Sequence, residues 1–465
     1  MPSFAVTPLI VATALFMENL DGTVLSTALP AMAADLHEDP IALKLALTSY
    51  LLSLAVFIPV SGWVADRHGA RRVFGAAILV FTFGSILCGL STSLTGVVLS
   101  RVVQGLGGAM MVPVGRLVLL RVAPRAQLVR ALAYLTVPAL IGPMIGPPLG
   151  GFIATYFHWR YIFWINVPIG LLGVLLVTRF IPDLREAEVP PLDVKGFLLS
   201  GFGLSTLVFG LGVAGPGFIG APYVAALIGA GALALALYVR HALRAPYPII
   251  DLSLLRVPTF HASVVGGFLF RMGLGASPFL LPLMLQTGFG LTAFQSGSLT
   301  FIASVGAMAM KTTAQPILDR FGFRRVLIVN ALISAGFFCA NAFFTPATPH
   351  WAIMMILLVG GFFRSLEFTA LNAIGYADIE QQAMSRATSF ASAGQQLSLS
   401  AGVSLGAAAL EGARSLHGGG ALQYVDFEPA FLMVAAVSAA SILFFWPLAR
   451  NAGAALTGIS AGRGK

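Results

Sequence analysis

Charge is scarce in this chain: Asp, Glu, Lys and Arg make up 10% of its 465 residues, whereas a soluble globular protein carries about 25%. Too few ionised groups are present to clothe a chain of this length in water, which excludes an ordinary soluble domain. Cysteine is nearly absent. Cys88 and Cys339 lie far apart, each inside an apolar run, so no disulfide framework and no thiolate metal site is expected. The seven histidines are scattered. No metal-ligand spacing, nucleophile elbow or Walker loop occurs, which argues against an enzyme and against a bound cofactor.

What the chain has instead is apolar length. Apolar residues make up 57% of the sequence and the mean hydropathy is +0.89. Runs of about 20 apolar residues, long enough to cross a bilayer, recur from end to end. They are continuously apolar and do not alternate with period two, which predicts helices and not a barrel. Fourteen spans are expected, near 8–30, 45–65, 72–91, 97–120, 130–156, 160–180, 194–214, 221–243, 260–287, 294–317, 324–345, 350–376, 387–411 and 428–449. The first is not expected to be a cleaved signal peptide: it lacks a basic leading region, carries Glu18 and Asp21, and is too long.

With the N-terminus placed inside and the sides alternating, nineteen of the 27 basic residues fall on cytoplasmic segments. Only Lys44, Arg160 and Arg414 fall outside, and five lie within spans. That asymmetry satisfies the positive-inside rule and predicts both termini in the cytoplasm. Basic loops facing anionic lipid also account for an isoelectric point near 9.9, with no need for nucleic acid as a partner.

A charged octapeptide occurs twice. VADRHGARRVF, Val64 to Phe74, returns as ILDRFGFRRVL, Ile317 to Leu327, with six of eight positions of D-R-x-G-x-R-R-V identical at an offset of 253 residues. Each copy falls in a loop between the second and third spans of a six-span set, which implies two parallel homologous halves. A six-span half needs roughly 190–200 residues at about 20 per span plus loops, so the offset leaves room for one additional helical hairpin. The domains expected are therefore an N-terminal six-helix bundle (1–182), an acidic linker with a central two-helix hairpin (183–245), a C-terminal six-helix bundle (246–455) and a cytoplasmic tail (456–465).

These motifs resemble the major facilitator superfamily. Its loop signature G-x-x-x-D-R/K-x-G-R-R/K is matched by Gly62, Asp66, Arg67, Gly69 and Arg71, with Ala70 in place of a basic residue. ENLDGTVLSTALP (Glu18 to Pro30), LSRVVQGLGGAMM in the fourth span, IGPMIGPPLGG (Ile141 to Gly151), WRYIFWINVPIG (Trp159 to Gly170) and PIIDLSLLRVPTF resemble, in order, signatures of its fourteen-helix drug:proton antiporters. The resemblance covers essentially the whole chain and is nearest to bacterial multidrug and organic-solute exporters. It implies an all-α polytopic fold of two six-helix bundles plus two central helices, in a bacterial inner membrane. It also implies proton-coupled export of small amphipathic compounds by alternating access. The proton would be the coupling ion, lipid and a small-molecule substrate the partners, and the monomer the working unit.

Eight ionisable side chains fall inside expected spans: Glu18, Asp21, Arg101, Arg116, Arg271, Lys311, Arg364 and Glu367. Each costs roughly 2.5–3.5 kcal/mol at a helix centre, so such groups default to pathway or coupling roles. Glu18 and Asp21, three apart, share a helix face; two carboxylates on one desolvated face resist ionising together, as a proton carrier requires. The resemblance favours Asp21 as the carrier, with Glu18 as helper or substrate ligand, and links Arg101 to proton transfer. Gln104 stands one turn from Arg101, while Gly105 and Gly108 allow close helix approach. Arg116 is expected to snorkel.

In the second half Arg364 and Glu367 are spaced to pair at i and i+3, leaving Arg271 and Lys311 in search of partners. The candidate substrate cavity is therefore Glu18, Gln104, Arg271, Lys311, Arg364 and Glu367, helped by aromatic and Met side chains such as Phe268, Met284, Met308 and Phe362. By resemblance a conformational latch comprises Gly62, Asp66, Arg67, Gly69 and Arg71, with Asp319, Arg320, Gly322 and Arg324 in the second copy. Gly142, Pro143, Gly146, Pro147, Gly150 and Gly151 form the kinked helix that marks exporters. Five intramembrane bases against three acids keep an organic anion, such as a carboxylate metabolite, open as substrate. A passive facilitator or channel is the rival of another class.

Overall fold

The computed structural model describes residues 6–122, 128–182, 189, 191–213 and 220–456, excluding the side chains of 6, 120–122, 128–140 and 455. Most of the expected acidic linker with Arg185, nearly all of the expected tail, and Arg121, Arg125 and Arg130 of the charge asymmetry lie outside that description. Among the described residues there is helix and no strand.

Among the described residues eighteen α-helices follow in order: α1 Val6–Leu36, α2 Lys44–His68, α3 Ala70–Leu90, α4 Leu94–Val122, α5 Leu128–Tyr156, α6 Tyr161–Trp164, α7 Asn166–Phe180, α8 Val194–Gly212, α9 Ala221–Ala242, α10 Pro258–His261, α11 Gly267–Leu283, α12 Ala293–Lys311, α13 Ala314–Phe321, α14 Phe323–Ala342, α15 His350–Ile374, α16 Met384–Leu416, α17 Phe427–Ala440 and α18 Ile442–Phe445. Two π-helical segments, Ala262–Gly266 and Met284–Gly288, flank α11.

Twelve helical segments among the described residues are long and apolar enough to cross a membrane, so the expected fourteen are not established. The long helices α5 and α16 are the two not counted; the side chains of 128–140 in α5 lie outside the description. The 33-residue α16 is one unbroken helix, but Ser385, Ser389, Ser392, Gln395, Gln396, Ser398 and Ser400 make it too polar to meet the same standard.

The chain divides between Ile249 and Ile250 into two compact units. In the first, α1 packs along α5, α2 along α4, α3 along α4 and α3 along α7. In the second, α11 packs along α16, α12 along α15, α14 along α15 and α14 along α17. The same pairing scheme thus recurs at the spacing of the duplicated octapeptide. The central hairpin, α8 with α9, lies within the first unit, where α8 packs on α2.

Each unit has its own apolar core. Phe74, Phe81, Met111 and Val114 centre the first, and Phe270, Leu327, Leu371 and Phe445 the second. Burying such a side chain contributes about 1.5–3 kcal/mol, although in a membrane close packing replaces most of that drive.

The duplicated loop is the same structure twice. Gly69 has φ 95° and Gly322 φ 72°, a left-handed region that favours glycine. Gly69 donates its N–H to the Ala65 carbonyl and Gly322 to the Leu318 carbonyl, both at 2.9 Å. The N–H groups of Val73 and Val326 then return to Gly69 and Gly322 at 3.1 Å. One helix ends and the next begins on a single residue.

Candidate proton-coupling site

The first unit gathers its polar side chains around Asp21, half-way along α1. Arg101 and Gln104 reach it from successive turns of α4, and Asn166 from the start of α7. The Arg101 Nη1 donates to Asp21 Oδ2 at 2.5 Å and to Gln104 Oε1 at 2.6 Å. Gln104 Nε2 donates to Asp21 Oδ1 at 2.9 Å and to Ser85 Oγ at 2.7 Å. Asn166 Nδ2 donates to the same Asp21 oxygen at 2.8 Å. Arg101 also donates through Nε to the Ala46 carbonyl and lies 4.1 Å from the centre of the Tyr50 ring. Asp21 is 2% exposed and Arg101 fully buried. A pair this deep survives only because further hydrogen bonds satisfy both partners.

Glu18, one turn away, is in a different state. It is buried, and its Oε2 has no hydrogen-bond partner among the described residues. The Tyr50 hydroxyl is likewise buried without one. The two acids share a face of α1, as expected, yet only Asp21 holds a cation. Arg116 is exposed.

Glycines make these approaches possible. A side chain at Gly105 would collide with Ser53 and the Tyr50 carbonyl on α2, and one at Gly107 with Phe81 and the Ala77 carbonyl on α3. Along α5, a Cβ at Gly142 would crowd Phe16, Asn19 and Leu20 on α1, while one at Gly146 would strike the Thr23 side chain and one at Gly150 the Val24 carbonyl. Thr27 donates across to the Pro147 carbonyl at 3.2 Å. Gly142, Gly146 and Gly150 thus form a ridge that presses α5 on the helix that carries Asp21. Pro143 and Gly151 belong to the same stretch, through which α5 runs unbroken.

The segment Trp159 to Gly170 fastens to the same helix. Trp159 Nε1 and Arg160 Nη1 donate to Asp35 Oδ2 at 3.0 and 2.8 Å, and Asn166 follows at Asp21. Asn166, Ser85 and Tyr50 were not singled out from sequence. Asn166 had a readable signal, an amide within an apolar span and inside a recognised motif; Ser85 and Tyr50 had none.

The second unit corrects two expectations. Arg364 and Glu367 do not pair. Arg364 donates through Nε to the Gly360 carbonyl and through Nη1 to Ser277 Oγ, and lies over the Phe338 ring. Glu367 points to Asn330 on α14 instead, accepting from Nδ2 at 2.9 Å. Lys311 is not deep in a span: it is the exposed last residue of α12 and donates to Thr369 Oγ1 at 2.8 Å. Arg271 is buried and donates to the Ser263 carbonyl and to Asn372 Oδ1. Among the described residues none of these three cations is ion-paired, and the expected cavity residues do not converge within this unit.

A cavity of about 620 Å³ in the first unit is lined by Leu45, Phe57, Val102, Phe197, Phe202 and Phe209, among others of α2, α4 and α8, and contains none of the candidate site residues. Of the latch, Arg324 binds a carbonyl, as its chemistry suggests, but the carbonyl is Trp446 O, at 2.9 Å and within its own unit. Asp319 accepts from Gln315 at 2.8 Å, and Arg320 lies over Phe321.

The profile of the Major Facilitator Superfamily matches residues 11–403 and 263–461. The protein named multidrug resistance protein MdtD of Salmonella paratyphi A is 39% identical over 398 residues, which is 85% of this chain and 84% of that protein. Its counterpart in Pectobacterium atrosepticum is 40% identical with 85% of each chain covered. Among solved structures, a D-xylose-proton symporter superposes with TM-score 0.67 at 15% identity, covering 97% of this chain and 99% of that one. The human organic anion transporter MFSD10 superposes with TM-score 0.62 at 14% identity, covering 96% and 100%. The last two likenesses speak to the fold alone. The twelve apolar helices among the described residues make this a multi-pass membrane protein, and the family profile together with the MdtD relatives shows that the chain belongs to the major facilitator superfamily.

Proposed function

We propose that the protein exports drugs or other small amphipathic organic compounds in exchange for protons, by alternating access across a bacterial inner membrane with both termini in the cytoplasm. The observation that carries this reading is the buried Asp21–Arg101 pair, held by Gln104 and Asn166. The four residues lie on three helices, so a proton that neutralises Asp21 weakens the tie between α1 and α4 and leaves Arg101 to find other acceptors. Binding of one proton is thereby linked to helix rearrangement. The names of the MdtD relatives support drugs as the cargo.

The driving force is adequate. One proton moving down about 150 mV yields roughly 3.5 kcal/mol, enough for a few-hundred-fold gradient at about one-to-one exchange. On this reading the chain works as a monomer with no cofactor besides the proton, and performs no covalent chemistry.

The test uses everted vesicles with an imposed pH gradient. Gradient-driven uptake of a lipophilic cation is expected for the wild type and lost in Asp21→Asn. Uptake that persists in the variant would favour a passive facilitator. A second reading has its own support: among the described residues Arg271, Lys311 and Arg364 have only neutral hydrogen-bond partners, which suits export of an organic anion. Transport of a tricarboxylate in place of the cation would select it.

A further inference from the structure

The second unit holds a carboxyl group for which the coupling site above has no use. Glu367 on α15 is fully buried. Its Oε2 accepts from Asn330 Nδ2, while its Oε1 has no hydrogen-bond partner among the described residues. The same Asn330 nitrogen donates its other hydrogen to the Phe363 carbonyl at 2.8 Å. That bond fixes the orientation of the amide, because a flipped amide would set oxygen against two oxygens. Asn330 Oδ1 is then buried without a partner as well, and so is Ser334 Oγ one turn along α14.

An ionised Glu367 cannot repair this. Carboxylate and amide oxygens only accept, so Oε1 and Oδ1 would both stay unsatisfied. One proton on Oε1 supplies the missing donor. Since Nδ2 already meets Oε2, a neutral acid can complete the two-point pairing of a carboxylic acid with a carboxamide. Among the described residues no charged side chain forms a salt bridge with Glu367. Arg271 on α11 interacts with it electrostatically but gives its Nη groups to Ser263 and Asn372. On α15 itself Arg364 turns to Gly360 and Ser277, and Lys311 on α12 turns to Thr369. Asp319 and Arg320 on α13 bond or stack locally, and Arg324 and Arg325 stand in the first turn of α14.

We propose that Glu367 is a second proton-binding site, held as the neutral acid by Asn330 and releasing its proton when Arg271 comes free to pair with the carboxylate. Only the Oε1–H bond breaks, and the proton leaves to water. The inference rests on the proton-coupled reading, which it extends to two protonatable carboxyls in separate units.

Infrared spectroscopy of the purified protein in lipid nanodiscs tests the protonation directly. A carboxylic-acid carbonyl band is expected at neutral pH, absent in Glu367→Gln and displaced in Asn330→Ala. Glu367→Gln is expected to fold, since a glutamine amide can meet both atoms of Asn330. In proteoliposomes the protons moved per substrate should fall by about one in Glu367→Gln. Absence of a Glu367-dependent band overturns the proposal, and so does an unchanged proton count in the variant. A Glu367 band in a wild-type protein that moves no protons would instead overturn the proton-coupled reading.

Discussion

Replacing Arg101 by Met removes the one cation bonded to Asp21 among the described residues and leaves that carboxylate where almost no water reaches. Arg101 is fully buried and spends three hydrogen bonds and one aromatic face on its surroundings. Asp21 keeps Gln104 and Asn166 as donors, but these are neutral. Breaking a buried pair from one side costs about 3–5 kcal/mol, because a charge is left uncompensated. Asp21→Asn breaks it from the other side, placing an amide donor against a guanidinium, with a cost of the same order. The double variant Asp21→Asn, Arg101→Met leaves no charge behind, and exchange of a whole buried pair for neutral groups is often close to neutral. A double-mutant cycle on equilibrium unfolding in mixed micelles should therefore show two costly single variants and a double variant near wild type, an interaction energy of about 6–10 kcal/mol and well above the usual range. All three variants should lose proton-driven transport. Additive single effects would refute the view that these two side chains act as one unit.

Other expectations follow from the packing and from the loops. Gly150→Val places a side chain against the Val24 carbonyl; α1 and α5 must part, lowering stability by about 1–3 kcal/mol and reducing export, measured as melting temperature and vesicle flux. Gly22→Ala is its control, since nothing lies within 4 Å of the added carbon. Asp193, which caps α8 outside the spans, is partly buried, which disfavours ionisation; hydrogen bonds from His241, Gly196 and Ile249 outweigh this and hold it below the usual carboxylate range. A depressed value means the stabilisation is present above the unfolded-state value and lost as pH falls through the folded one. The melting-temperature gap between wild type and Asp193→Asn should thus be full at neutral pH and close in acid below the ordinary aspartate range. Lys311→Met, at an exposed helix end, should leave stability within about 0.5 kcal/mol and cation efflux near wild type; selective loss of anion transport would favour the anion reading.

The architecture was legible because it follows from composition and repetition. The octapeptide at Asp66 and at Asp319 marks the same glycine-closed turn in both halves, and the helix pairings repeat with it. Asp21, Arg101 and Gln104 were legible for a different reason: polar residues are costly in a span, so each one present stands out. Their convergence was less so, since Asn166 joins them from a helix 145 residues along the chain. Spacing misled at Arg364 and Glu367. Three residues apart on one helix they could have met, but Arg364 is drawn to the Gly360 carbonyl of its own helix and Asn330 on α14 offers Glu367 a donor. Lys311 misled because the stretch after it stays uncharged as far as Leu318, while the helix ends there and a new one begins at Ala314. In α16 the serines and glutamines that break the hydropathy do not break the helix, so length and apolarity diverge.

The most direct test records proton and substrate movement together in proteoliposomes that contain the purified protein and no imposed gradient of substrate. With a pH gradient applied, protons and a lipophilic cation should move in opposite directions in a fixed ratio, and both fluxes should vanish in Asp21→Asn. Substrate movement that runs without protons, or that survives the loss of the Asp21 charge, would contradict the account.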